Sequence, residues 1–137
     1  MGEVRAQVKL TNAGDETLVR RGYLTADQVR DYEANALVDT GSVSTILPIE
    51  VVRKLGLAIV DQRVAEYANG SKEIVDVTEP VSILIRGRKT VEDAMVLGDE
   101  VLIGQTVLET LDLHVDCTNR QIIPNPAHPD QTVNKVK

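Results

Sequence analysis

The residues with the clearest capacity for chemistry are Asp39-Thr40-Gly41-Ser42, which follow the apolar run Ala36-Leu37-Val38. A carboxylate at the end of a buried strand can project into a cleft, where it is placed for proton transfer. Gly41 allows neighbouring backbone to approach with no Cβ in the way. The Thr40 hydroxyl can both donate and accept, and Ser42 stands where a hydroxyl can help hold the carboxylate's orientation. The plain alternative is a turn aspartate that bonds its own backbone, a common use of Asp close to Gly.

Other candidates are weaker. His114, Asp116 and Cys117 spell H-x-D-C, but alternation along a strand puts His114 and Asp116 on one face and Cys117 on the other, so no metal site is expected. Ser42 and Ser44 have no histidine in a matching local arrangement for nucleophilic catalysis. His128 lies in a Pro-rich stretch and reads as solvated. Tyr67 either shapes a cleft or covers core.

The elements that must position Asp39 are legible as periodicity. Val4, Ala6, Val8 and Leu10 alternate with polar neighbours, the period of a strand with one buried face. A turn at residues 12–15 followed by residues 17–24 suggests an opening hairpin. Thr25 with Gln28 fits a weak capping box on a turn or two of helix. Pro48 and Gly56 bracket a short helix, with Ile49, Val52 and Leu55 on one face. Residues 59–67 and 74–77 read as strands joined through Ala68-Asn69-Gly70-Ser71, and Asn-Gly is a strong hairpin signal. Val81, Ile83 and Ile85 alternate, and residues 91–97 can pair back against them. Val101-Leu102-Ile103-Gly104 is a second buried run, followed by a short helix over residues 105–111 with Val107, Leu108 and Leu111 inward. Residues 113–116 and 121–123 suit a closing hairpin. The expectation is a mostly β chain with two short helices.

At 137 residues and 15.0 kDa the chain has the size of one domain, placed at residues 1–123, with a polar, Pro-rich and mobile tail over 124–137. Phe and Trp are absent, so the core must be aliphatic. The formal charge of −6 and pI near 4.9 argue against binding to a nucleic-acid backbone. The densest basic cluster, Arg86-Gly87-Arg88-Lys89, reads as a charged turn. No apolar run is long enough to span a membrane, and one cysteine allows no intrachain disulfide, so a cytoplasmic location is the default.

The segment from Leu37 to Pro48, LVDTGSVSTILP, resembles the active-site segment of retropepsin-like (retroviral-type, clan AA) aspartic proteases. Asp39, Thr40, Gly41 and Ser42 match that family's Asp-Thr-Gly-Ser/Ala, and Ser44-Thr45-Ile46-Leu47-Pro48 follows in the style of its bacterial single-domain members. Leu102-Ile103-Gly104 ahead of a short helix is similar to the family's second landmark. Tyr67, Ala68, Asn69, Gly70 and Ser71 fall where these proteins carry a flap over the substrate cleft. The likeness spans nearly all of the folded part.

The resemblance implies a closed-barrel-like acid protease half-domain acting as a twofold homodimer. The family's chemistry needs two carboxyl groups around one water, and this chain holds no second Asp-Thr-Gly. Asp39 from each subunit would therefore meet on the symmetry axis, with no cofactor, and Thr40 of each loop would lock the two together. Two facing carboxyls cannot both ionise freely, so mildly acidic conditions should favour activity. The partners implied are a second copy of the chain and a peptide or protein substrate, with neither nucleic acid nor membrane involved. Retroviral members commonly carry an interacting Asp and Arg where this chain has Val43 and Gln105. Pro124 and Pro126 stand where a terminal interface strand would form. The alternative function is a non-catalytic or weakly catalytic dimerisation or peptide-binding module on the same fold.

Overall fold

A computed structural model describes residues 2–136. Eleven strands and three α-helices follow one another as β1 (Val4–Asn12), α1 (Ala13–Arg20), β2 (Asp31–Val38), β3 (Ile46–Leu47), α2 (Ile49–Leu55), β4 (Ile59–Glu66), β5 (Lys72–Thr78), β6 (Val81–Ile85), β7 (Arg88–Glu92), β8 (Met95–Val96), β9 (Leu102–Ile103), α3 (Gln105–Leu111), β10 (Leu113–Asp116) and β11 (Gln121–Pro124). A single 3-10 turn at Ala26–Gln28 precedes β2, with the capping box of Thr25 and Gln28 formed.

Nine strands make one curled sheet in the order β4-β5-β8-β3-β9-β2-β1-β6-β7, while β10 and β11 form a separate pair. The sheet curls into a half-barrel with β4 and β7 as its two ends, consistent with the barrel-like half-domain expected. Its core is aliphatic, as the composition demands: Leu10, Leu47, Leu55, Ile83, Ile85, Ile103 and Leu111 are fully buried. Helix α2 ends on Gly56 in the left-handed conformation, and α3 buries Val107, Leu108 and Leu111 against the sheet.

The opening hairpin does not form, and a third helix stands in its place. Asn12 ends β1 and caps α1, its Oδ1 accepting from the Asp15 amide at 3.0 Å. Asp15 and Glu16 in the first turn and Arg20 in the last complement the helix dipole. Strand β1 pairs instead with β2 on one side and β6 on the other. The β propensity of Thr17-Leu18-Val19 gives way to a cap and to an ion pair of the buried Asp15 with a residue 15 positions away.

That pair joins Asp15, whose side chain is 5% exposed, to Arg30. Arg30 donates through Nε and a terminal nitrogen at 2.9 and 2.8 Å, and its backbone amide donates at 3.0 Å. These hydrogen bonds hold the Asp15 carboxyl below its ordinary value of 3.8, outweighing the burial that pushes it up. The stability this contributes is fully present above pH 3.8 and disappears as pH falls through the lowered native value. Arg30→Ala removes both guanidinium bonds and leaves the buried carboxylate the residue-30 amide, and should cost about 2 kcal/mol near neutral pH, allowing for the half-exposed Arg30. The deficit should shrink in acid, as read by urea unfolding at several pH values.

The basic cluster is split by the turn. Only Arg86 and Gly87 form it, both at positive φ, as a two-residue hairpin requires. Arg88 opens β7 and is buried, donating to the carbonyls of Leu111 and Asp112 at 3.1 and 2.8 Å and of His128 at 2.7 Å. Residues 91–97 are likewise divided between β7, which pairs with β6, and β8, which pairs with β3 and β5. Residues beyond Pro124 make specific contacts with the body. Asn125 Nδ2 and the Val133 amide donate to the Asp112 carboxylate at 2.8 and 3.1 Å, and His128 Nδ1 lies 2.7 Å from it.

Candidate active site

Strand β2 delivers Asp39, and the sheet order explains how. β9 lies between β2 and β3, parallel to the first and antiparallel to the second. The chain leaving β2 at Val38 must therefore cross over the end of β9 before it returns as β3. Residues 39–45 make that crossing. The Asp39 amide donates to the Ile103 carbonyl at 3.0 Å, the Ser42 amide to the Asp39 carbonyl at 3.1 Å, and the Gln105 amide to the Ser42 carbonyl at 2.7 Å.

Gly104 sits where the crossing is tightest. A Cβ there would lie 2.6 Å from the Ser42 carbonyl oxygen, 2.8 Å from that of Ser44 and 2.9 Å from the Val43 carbonyl carbon, all backbone atoms. Its φ of −94° is open to any residue, so the requirement is space and not backbone conformation. The second sequence landmark thus supports the first: Leu102 and Ile103 pair with β2, and Gly104 allows the loop to rest on them.

At the crest of the loop the Asp39 carboxylate accepts from the Gly41 amide at 2.9 Å. Asp39, Thr40 and Gly41 are exposed, and Ser42 is half-buried with its hydroxyl donating to the Ser44 carbonyl at 3.2 Å. Ser42 therefore braces the loop and does not bond the carboxylate directly.

Asp39 opens onto a cleft of about 500 Å³ between the loop and the β4–β5 hairpin. Asp39, Gly41, Ser42 and Leu102 line one side, and Tyr67 and Ala68 line the other. Thr40 is exposed but does not line the cleft, Ile103 and Gly104 lie behind the loop, and Asn69, Gly70 and Ser71 form the hairpin turn beyond the cleft. The Tyr67 amide donates to the Ser71 carbonyl at 2.8 Å, Gly70 has a φ of +85°, and the Tyr67 hydroxyl bonds Glu73 on the opposite strand. That bond holds the Tyr67 phenol above its usual range. Val43 and Ile46 of the active-site segment complete an apolar lining with Val64, Met95 and Leu97, three residues that no motif singled out because each is an ordinary strand or loop apolar residue in the sequence. Glu66 is the cleft's other carboxylate and has no hydrogen bond to Asp39 among the described residues.

The remaining candidates do not join this site. His114 and Asp116 lie on β10, where Asp116 is tied to Asn119 by hydrogen bonds at 2.8 and 3.2 Å, and Cys117 is exposed. Among the described residues no three acidic, His or Cys side chains gather as metal ligands, and no helix is long and apolar enough to cross a membrane.

Comparison with known proteins matches residues 26–110 to the family model described as "gag-polyprotein putative aspartyl protease". This stretch includes the Asp39 loop, the β4–β5 hairpin and the β9–α3 junction, and makes up more than half of the chain. The chain belongs to that family. The fold of this gag-type aspartyl protease relative is similar to that of the EIAV protease complexed with the inhibitor HBY-793, with a TM-score of 0.51 at 17% identity over 79% of this chain and 86% of that one. The solution structure of the simian foamy virus (mac) protease aligns with a TM-score of 0.48 at 13% identity, over 76% and 90% of the two chains. No curated protein gives a significant match.

Proposed function

We propose that this protein is a homodimeric aspartic endopeptidase, a single-domain member of the bacterial type, in which Asp39 of two copies shares one water. The observation that carries the reading is the Asp39 carboxylate at the mouth of a largely apolar cleft, with no second carboxylate bonded to it among the described residues, on a loop that the fold braces from below and leaves exposed above. One carboxyl cannot perform both proton transfers of peptide hydrolysis. With two, the deprotonated group takes a proton from the water as it attacks the peptide carbonyl. The protonated group supports the developing oxyanion, and return of a proton to the leaving nitrogen completes cleavage.

The exposed Thr40 at the loop crest supports loop-to-loop contact between copies, and Val43, 70% exposed beside the cleft, supplies apolar surface for a partner or substrate to cover. The β4–β5 hairpin serves as the flap: β4 is exposed along nearly its whole length, while Val75 and Val77 of β5 anchor the base. An extended peptide fits between loop and flap, with aliphatic side chains against Ile46, Val64, Met95 and Leu97. Digestion of a peptide library across acidic and neutral pH, with Asp39→Asn in parallel, tests the assignment. Cleavage only by the wild type supports it, whereas peptide binding without cleavage by either form favours the binding-module alternative.

A further inference from the structure

The β4–β5 hairpin leaves the body of the sheet before it reaches the cleft. β4 has β5 as its single strand neighbour, and β5 meets β8 only where Asp76 stands opposite Val96 and Val77 opposite Met95. Val75 and Val77 are buried, whereas Val64 and Ile74, the next pair toward the turn, are both exposed. Residues 64–74 are therefore a two-stranded ribbon with little core beneath it, an element that is marginal on its own and opens at low cost. At its base the register shifts between Ile59 and Asp61, leaving Val60 as an extra residue. Such a bulge bends its strand and interrupts the ladder.

One side-chain bond ties this ribbon to the body. Among the described residues, Arg63–Asp93 is the only side-chain hydrogen bond or ion pair that residues 59–76 make outside the hairpin. The others stay within it: Gln62 Nε2 donates to Asp76 at 3.1 Å, the Tyr67 hydroxyl bonds Glu73, and the Ser71 hydroxyl bonds Asn69. Arg63 stands opposite Val75, the last position toward the turn at which the hairpin buries a side chain, and donates to Asp93 Oδ2 at 3.0 Å. Asp93 is on fixed ground. The adjoining Ala94 is buried, its amide donating to the Thr78 hydroxyl at 3.2 Å and its carbonyl accepting from the Thr78 amide at 2.9 Å. The flap wall of the Asp39 cleft begins one residue beyond Arg63: Val64, Ala65, Glu66, Tyr67 and Ala68 all line it.

We propose that the Arg63–Asp93 ion pair is a latch that holds the flap over the Asp39 cleft, and that its release lets the ribbon swing about the Val60 bulge to admit a peptide. The role in peptide entry rests on the cleft's being a peptide site, as proposed above, but the hinge itself does not. Arg63 and Asp93 are positioning residues, acting through residues 64–68 on whatever the cleft holds. Both side chains are half-exposed, so water and salt compete for them, and the pair shifts an open–closed equilibrium by a few-fold without freezing it. A dry ion pair would lock the flap. This one is poised to break.

Distances between nitroxides on Lys72→Cys near the turn and Glu50→Cys on α2, in a Cys117→Ser background diluted with unlabelled chain, read the flap directly. Arg63→Gln and Asp93→Asn should each raise the open, longer-distance fraction about two- to fivefold, and the two together no more than either alone. Salt at about 1 M should move the parent in the same way and leave the variants unmoved. Unchanged distances in both variants overturn the latch, as does an additive effect of the two substitutions, since they would then act separately. Peptide release from the Asp39→Asn protein should quicken by a similar factor on Arg63→Gln, at an unchanged melting temperature. A fall in melting temperature with no change in release would make the pair structural and overturn the latch. A flap that responds on a protein that cuts no peptide leaves the latch standing without the protease, and cleavage by a protein whose flap ignores both substitutions leaves the protease standing without the latch.

Discussion

Asp39→Asn is expected to lower peptide cleavage by at least about 10³-fold, a loss of about 4 kcal/mol of transition-state stabilisation, while leaving the fold unchanged. The two halves of this result have separate causes. Asparagine cannot take a proton from the attacking water, so the chemistry fails whichever carboxyl of the pair is the base. The fold is indifferent because Asp39 is exposed and its carboxylate has one partner, the Gly41 amide at 2.9 Å, which an asparagine Oδ1 accepts equally well. Steady-state cleavage and thermal unfolding, measured side by side, read the two halves. Cleavage within tenfold of the wild type would remove Asp39 from the reaction. A large fall in melting temperature would show the carboxylate to be structural.

Gly104→Ala should do the reverse, damaging the fold first and the activity through it. The added methyl would lie 2.6 and 2.8 Å from two backbone oxygens, and backbone in a braced loop cannot swing away as the end of a side chain can. Either the loop lifts, breaking the 2.7 Å bond from the Gln105 amide to the Ser42 carbonyl, or β9 sinks into a core where Ile103 is fully buried. Overpacking of this kind costs about 2–3 kcal/mol. Asp39 rides on the same loop, so cleavage should fall as well. Calorimetry reads the first effect, and an Ala variant that melts with the wild type would contradict the close approach on which the site's construction depends.

These two positions also show what the sequence made legible. Asp39 and Gly104 are marked by short apolar runs that end in polar or glycine residues, and both runs are strands that meet edge to edge. Helices α2 and α3 were visible because Gly56 and the inward Val107, Leu108 and Leu111 are local signals. The Asn69-Gly70 turn is likewise local, and it forms with Gly70 at positive φ. What stayed hidden depends on partners distant in sequence. Helix α1 looked like a strand because Asp15 finds Arg30 only in the folded chain, and Asn12 also donates to the Leu55 carbonyl at 2.8 Å. Arg88 looked like a turn residue, although it caps carbonyls at the end of α3. Glu92 gave no signal, since its partial burial follows from the register of β7 on β6, which sets it opposite Val81.

The central claim is that one chain contributes half of an active site. Mixing wild-type and Asp39→Asn chains at constant total concentration, with time for exchange, tests it most directly. If two Asp39 groups act together, only wild-type pairs cut, and activity follows the square of the wild-type fraction, about one quarter of the full value at equal mixing. A linear fall, about one half at equal mixing, would mean that each chain carries a complete site, with a partner such as Glu66 in its own cleft, and would contradict the account.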